Sequence, residues 1–314
     1  MPYPDFLCIG AAKCGTSWLH VNLKRHRQIF VPYIKEIHYF DSQAYGHPNN
    51  FIGRLFHPGI GYWRRSLKRQ LFKRVSLTDK KRIKWLFNYA FRIRSDKWYA
   101  SLFQPEEGQI SGEHTPGYYA LDTEHVERIY NLMPDCKIIF LIRNPVEQIW
   151  SMTKFMHFKI RKYDFEKMSH DQLRSICSND FRFDNSDYLL HLSKWEKIFP
   201  KDNIFIGFYD EICECPKDLL LRIFEFLGIE KSENQIFPVA HRNVNKGPEY
   251  ALPNDIRIMI AQRSYDNLKR LHERFGGYAT KWLEEETEFL KKHGVLPDKK
   301  LPSSLRSTKY CCTA

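Results

Sequence analysis

An apolar run, Phe6-Leu7-Cys8-Ile9, passes directly into Gly10-Ala11-Ala12-Lys13-Cys14-Gly15-Thr16-Ser17, and then into a segment with Trp18, Leu19 and Leu23 at helical spacing. A buried strand, a tight glycine-bounded loop and a helix form a device for holding phosphate. Backbone N–H groups at the helix start point into the loop, and the helix dipole favours negative charge there. The G-x-x-x-x-G spacing is that of a nucleotide P-loop, but a Walker A loop ends Gly-Lys-Ser/Thr. Here Lys13 lies inside the loop, and Gly15 is followed by Thr16 and Ser17. The displaced lysine points to a phosphate-bearing donor handled differently from ATP.

The rest of the chain alternates in period. Strands are expected at 6–9, 28–31, 109–115, Lys137–Ile142 and Ile204–Phe208, the clearest being the continuous apolar run KIIFLI, which suits a parallel sheet covered on both faces. Helices are expected at 16–26, Thr123–Leu132, from Pro145 towards Phe158, at 186–199 and at Pro216–Leu227, the last ended by Gly228. The region 253–293 reads as mostly helical. Together these predict an α/β chain with a P-loop-like three-layer fold: a mainly parallel central sheet flanked by helices, and a helical C-terminal part. The 314 residues are expected to form a single domain, 1–314, with a basic, helical insertion at about 42–97. Within it Leu67, Leu71 and Val75 share one helical face, and Ile83, Phe87 and Phe91 another.

The net charge is +12, and between Arg54 and Lys97 stand 14 Lys or Arg against two Asp, so this segment carries the whole excess. Such a concentration suits an anionic partner (nucleic acid, acidic glycan or membrane surface); the plainer reading is a solvated helical face or a partly disordered insertion. No stretch reaches membrane-spanning length and no charged-then-apolar leader precedes the first strand, which predicts a cytoplasmic protein; a lumenal enzyme lacking its anchor would read the same. The eight cysteines form no CxxC pair and no zinc pattern, so no metal site is expected, and reduced thiols are the default. The terminal Cys311-Cys312-Thr313-Ala314 resembles a prenylation box only weakly, since its middle residues are not aliphatic.

Four stretches, in order, resemble the sulfotransferases that use 3′-phosphoadenosine 5′-phosphosulfate (PAPS). Gly10 to Leu19 is similar to the family's 5′-phosphosulfate loop. Ile139 to Ser151 is similar to its 3′-phosphate element, with Arg143 ending the strand and Ser151 eight residues on. Lys35-Glu36-Ile37-His38-Tyr39-Phe40-Asp41 and Gly112-Glu113-His114-Thr115-Pro116-Gly117-Tyr118 resemble the heparan sulfate sulfotransferase branch and its bacterial relatives. The resemblance covers residues 6 to about 158, then continues loosely to about 250.

The resemblance implies O-sulfation by in-line transfer, with PAPS as donor and PAP as product. Lys13 would steady charge on the leaving phosphate, with Cys14, Gly15, Thr16, Ser17 and Trp18 completing the loop. Arg143 and Ser151 would hold the 3′-phosphate, and Arg242, Lys246 and Gly247 would belong to a late loop closing on the nucleotide. Glu36 would take the acceptor's proton, with His38 as the rival base. His114 departs from the branch, which usually has lysine there; histidine is shorter and titrates near neutrality, and it stands as a further candidate beside the acceptor. The acceptor implied is a hydroxyl compound, foremost a carbohydrate, itself anionic if the basic segment lines its approach. Two rivals remain: a magnesium-dependent P-loop kinase of a small metabolite, against which the lysine position counts, and a nucleic-acid binder driven by the basic segment.

Overall fold

The computed structural model of the chain describes residues 2–72, 79–242, 244 and 249–295. Five strands form one all-parallel sheet: β1 (Phe6–Gly10), β2 (Ile29–Phe30), β3 (Ile110–His114), β4 (Lys137–Ile142) and β5 (Ile204–Phe208), in the order β2-β3-β1-β4-β5. β1 and β4 are apolar almost throughout and buried, as a sheet covered by helices on both faces requires. β3 packs tightly on β1: a Cβ at Gly112 would fall 2.1 Å from the Phe6 ring, so only glycine fits there.

The strand order places the site. From β1 the chain moves to one side of the sheet for β2 and β3, then crosses to the other for β4 and β5. The carboxyl ends of β3, β1 and β4 therefore sit side by side where the direction of travel reverses, the position at which open α/β sheets bind ligands. The loops beginning at Ala11, Thr115 and Arg143 all leave from that edge.

Several element boundaries differ from expectation, each for a local reason. The first helix covers Thr16–Leu23 and ends short of His26, whose N–H bonds back to Leu23 in a turn leading to β2. The apolar run at 186–199 is divided at Asp187, which caps a new helix, Tyr188–Glu196, by accepting from the Leu190 N–H. The C-terminal region is two helices, Asn254–Phe275 and Gly277–Lys292, separated at Gly276 with φ 60°, a left-handed value that breaks the helix. The Pro145–Thr153 helix does run on, but as a π-helical stretch, Lys154–Ile160.

In the basic segment, Phe51–Phe56, Gly61–Phe72 and Lys80–Phe91 are helical. Leu67 packs against the core, whereas Val75, Cys311 and Cys312 lie outside the described residues. Ile83, Phe87 and Phe91 share a face of the Lys80–Phe91 helix, but it is the outward one: Trp85, Leu86, Tyr89 and Ala90 supply the packed face. Among the described residues no helix is long and apolar enough to cross a membrane.

Candidate active site

The loop after β1 turns on two left-handed residues, Lys13 (φ 69°) and Gly15 (φ 97°), and Gly15 opens the Thr16–Leu23 helix with no side chain capping it. The first N–H groups of that helix are therefore left to an outside acceptor. Lys13 Nζ lies 4.7 Å from the centre of the Phe155 ring, on the π-helical stretch, and no carboxylate pairs with it among the described residues. Its pKa is lowered to about 8, first by burial and then by the charges of Lys159 and Arg143. A half-buried ammonium set beside other cations is an arrangement suited to receive an anion.

The other loop residues divide by role. Cys14 is buried with Sγ 3.6 Å from the Tyr188 hydroxyl, and burial pushes its thiol up to about 12. Trp18 is buried and donates its indole N–H to the Ala240 carbonyl at 2.8 Å, tying the helix to the Pro238–His241 turn and so to Arg242. Lys246 and Gly247 lie outside the described residues. Arg143, just past β4, stacks over the Tyr209 ring at 4.2 Å and reaches Glu147 at 3.2 Å. Ser151 is half-buried two turns along the following helix.

Opposite the loop stands a linear array. Lys35 Nζ donates to Ser17 Oγ at 3.1 Å and to Glu36 Oε1 at 2.7 Å. Glu36 Oε2 lies 3.6 Å from His38 Nε2, and His38 Nδ1 is 2.5 Å from Asp41 Oδ2. Burial works to raise the Glu36 pKa, but the His38 hydrogen bond and the Lys35 charge outweigh it and hold the carboxyl well below its usual range. Burial likewise opposes a charged His38, yet Asp41 and Glu36 raise its pKa well above the ordinary value. The array thus runs Lys35, Glu36, His38, Asp41, with its neighbours favouring the ionised form of Glu36 and the protonated form of His38.

Glu36 (φ 65°) and His38 (φ 54°) are both left-handed, a conformation that persists only when surrounding bonds over-determine it. Those bonds come from β3 and the turn after it. The Ile37 N–H donates to Glu113 Oε1 at 3.2 Å and the Tyr39 N–H to the Tyr118 hydroxyl at 2.9 Å, while Tyr118 donates to Glu113 Oε1 at 3.0 Å. Thr115 and Tyr99 also donate to Glu113. Burial raises the Glu113 pKa against these donors.

His114 does not join the array. It is 2% exposed, with Nδ1 3.4 Å from His20 Nδ1 and its ring edge-on to Phe6. Burial, then His20, hold its pKa well below normal, and burial with nearby lysines pushes His20 down to about 3. The pair is neutral near neutrality, unlike the lysine the resemblance would place there. Lys35, Asp41 and Glu113 were not assigned roles from sequence, although each stands inside a motif: Lys35 beside Glu36, Asp41 three residues past His38, Glu113 beside His114. Among the described residues no group of three or more His, Cys, Asp or Glu is arranged to hold a metal ion.

The family model of the sulfotransferase domain matches residues 3–272. Heparan sulfate glucosamine 3-O-sulfotransferase 5 of Homo sapiens is 26% identical over 236 residues, 72% of this chain and 54% of that protein. Cytosolic sulfotransferase 13 of Arabidopsis thaliana is 29% identical over 102 residues, 32% of this chain and 31% of that protein. The chain spans about half the length of the heparan sulfate relatives it matches. Among solved structures, a sulfotransferase from Alicyclobacillus acidocaldarius shares the fold with a TM-score of 0.60 at 20% identity, covering 90% of this chain and 99% of that one.

Proposed function

The chain belongs to the sulfotransferase domain family, and from that premise we propose that it transfers a sulfuryl group from PAPS to a hydroxyl acceptor, foremost a carbohydrate. The observation that carries this reading is Lys35, which joins Ser17 of the anion loop to Glu36 of the carboxylate array through bonds of 3.1 and 2.7 Å. One lysine separates a site suited to a phosphate-bearing donor from a site suited to removing a proton.

The residues present fit such a donor. Helix N–H groups that no Gly15 side chain caps, a lysine with no carboxylate partner among the described residues and a guanidinium at the end of β4 are all donors or cations. Lys13, Ser17 and the N–H groups of Gly15 and Thr16 would hold the 5′ end, and Arg143 with Ser151 the 3′-phosphate, with Arg242, Lys246 and Gly247 closing over it. PAPS would supply the activated sulfuryl group, so the protein's task is electrostatic and positional. Lys13 takes up charge on the departing oxygen.

Glu36 is the base in this reading, because it is ionised while His38 is held protonated between two carboxylates and has no free lone pair. A carboxylate held so low is a weak base. Anion binding beside Ser17 draws Lys35 away from Glu36, and the proton affinity of Glu36 rises when the acceptor hydroxyl needs it. His38 orients the carboxylate and Asp41 orients His38. The acceptor class is suggested by the names of the heparan sulfate relatives. The deciding experiment is turnover of sulfur-labelled PAPS against a panel of glycans, lipids and phenols. Transfer to a glycan that vanishes in Glu36→Gln is the expected result, and no transfer to any hydroxyl acceptor refutes the reading.

A further inference from the structure

The Lys80–Phe91 helix is apolar on two sides. Its inner side packs into the core through Trp85, Leu86, Tyr89 and Ala90, but Phe87 and Phe91 on the other side are 62% and 48% exposed. An ordinary surface helix has one apolar stripe. The second stripe meets the neighbouring Phe51–Phe56 helix through Phe51: the Phe91 ring lies 4.7 Å from Phe51 and 4.8 Å from Phe87. The patch is held rigidly. The fully buried Arg54 guanidinium donates to the carbonyls of Tyr89, Ala90 and Arg92, locking the two helices together.

The charge around the patch is mainly positive; on this helix Lys81 pairs with Glu106 at 3.6 Å. Lys80, Lys84 and Arg92 are exposed beside Phe87 and Phe91. The two acids of the segment are engaged elsewhere, Asp79 as the helix cap and Asp96 with Arg128 and Tyr39. Apolar aromatic side chains flanked by the exposed cations Lys80, Lys84 and Arg92 match the interface of an anionic bilayer, where rings enter the boundary between headgroups and acyl chains and cations meet lipid phosphates. A second copy of the chain fits poorly, since pairing the patch with itself brings these cations together.

We propose that this face docks on the surface of an anionic membrane, inserting Phe87 and Phe91 and setting Lys80, Lys84 and Arg92 against the lipid headgroups. The same helical block borders the carboxylate array from inside: the Tyr62 ring lies 4.0 Å from the His38 ring, and Arg94 donates to the His38 carbonyl at 3.3 Å. Docking would therefore bring the array close to the lipid surface. The proposal does not depend on the reaction proposed above.

The test is flotation of the full chain with phosphatidylcholine vesicles and with vesicles of phosphatidylcholine and phosphatidylglycerol. Binding to the anionic vesicles alone, weakening as salt rises, is expected. The double variant F87S/F91S should lower partitioning about tenfold or more, and K80E/K84E by about fivefold per cation removed, with unchanged circular dichroism in both. No binding by the native chain overturns the proposal, as does equal binding to neutral vesicles or insensitivity to either variant. A dimer in light scattering that F87S/F91S dissociates assigns the face to a second copy, and loss of binding to a soluble acidic polysaccharide with vesicle binding intact assigns it to a glycan. Circular dichroism separates lost binding from lost structure in F91S, whose ring also packs on Phe51, and the native-chain comparison stands without either variant.

Discussion

Lys13 and Arg143 are both cations at the carboxyl edge of the sheet, yet their surroundings separate their expected contributions. Lys13 has no carboxylate partner among the described residues, so charge developing beside it is stabilised in full; Lys13→Ala should lower kcat by a factor of about 10² to 10³, roughly 3–4 kcal/mol. Arg143 already pairs with Glu147 and Tyr209, and Arg143→Ala should chiefly raise the KM for PAPS, by about tenfold. Steady-state kinetics with both variants check this, and normal kinetics in both would dismantle the site assignment. The lowered pKa of Lys13 adds a pH dependence. The protonated form binds the anion, so donor affinity should be constant below about pH 8 and weaken above it, with a proton taken up on binding; a donor KM flat through that range contradicts the placement. Glu113 is buried among protein donors and acts through the Ile37 N–H. Glu113→Ala leaves three hydroxyls and an N–H without their buried acceptor and should reduce kcat while the donor KM stays level, with Gln at this position restoring part of the loss. A shifted pH profile of kcat would distinguish this positioning role from simple destabilisation.

The loops are held by elements that make their own demands. The turn carrying Arg143 is capped by Asn144, whose side chain accepts from the Val146 N–H at 2.9 Å and also reaches the buried Glu286 at 3.4 Å. Glu286, on the Gly277–Lys292 helix, receives two bonds of 3.0 Å from Arg257 on the Asn254–Phe275 helix. The C-terminal helices thus brace the predicted phosphate arginine from behind. Arg257→Met strands a buried carboxylate and should cost about 3 kcal/mol of stability, read as a lowered midpoint in thermal or urea unfolding; a variant as stable as the parent would show the pair to be superfluous. Short elements with a strong local signature were legible: KIIFLI became β4 residue for residue, and Gly228 ended its helix in the left-handed region. The Lys80–Phe91 helix was legible as a helix and misleading as to its face. Both of its sides carry apolar residues at the same period, so spacing cannot say which one meets the core.

At the scale of the whole molecule, the charge excess between Arg54 and Lys97 sets up a field rather than a bond. If the acceptor is an acidic glycan, its KM should climb steeply with ionic strength, while a neutral acceptor of the same size responds little. Equal salt dependence for the two would place the basic segment outside acceptor capture.

The geometry of the opening loop was written locally: Lys13, Gly15, Thr16 and Ser17 lie within one turn of chain, and their spacing places a strand, a glycine turn and a helix start in succession. The alternation of strands and helices likewise implied a parallel sheet. Strand order was not legible, and with it went everything that depends on which loops meet at the reversal between β3, β1 and β4. That Lys35 bonds to Ser17, that Glu113 supports Ile37, and that His114 turns into the core against His20 are long-range facts. Spacing encodes contacts along one element, whereas contacts between elements arise from how the sheet is wound and which helix faces are left for the core, and only the folded chain settles those.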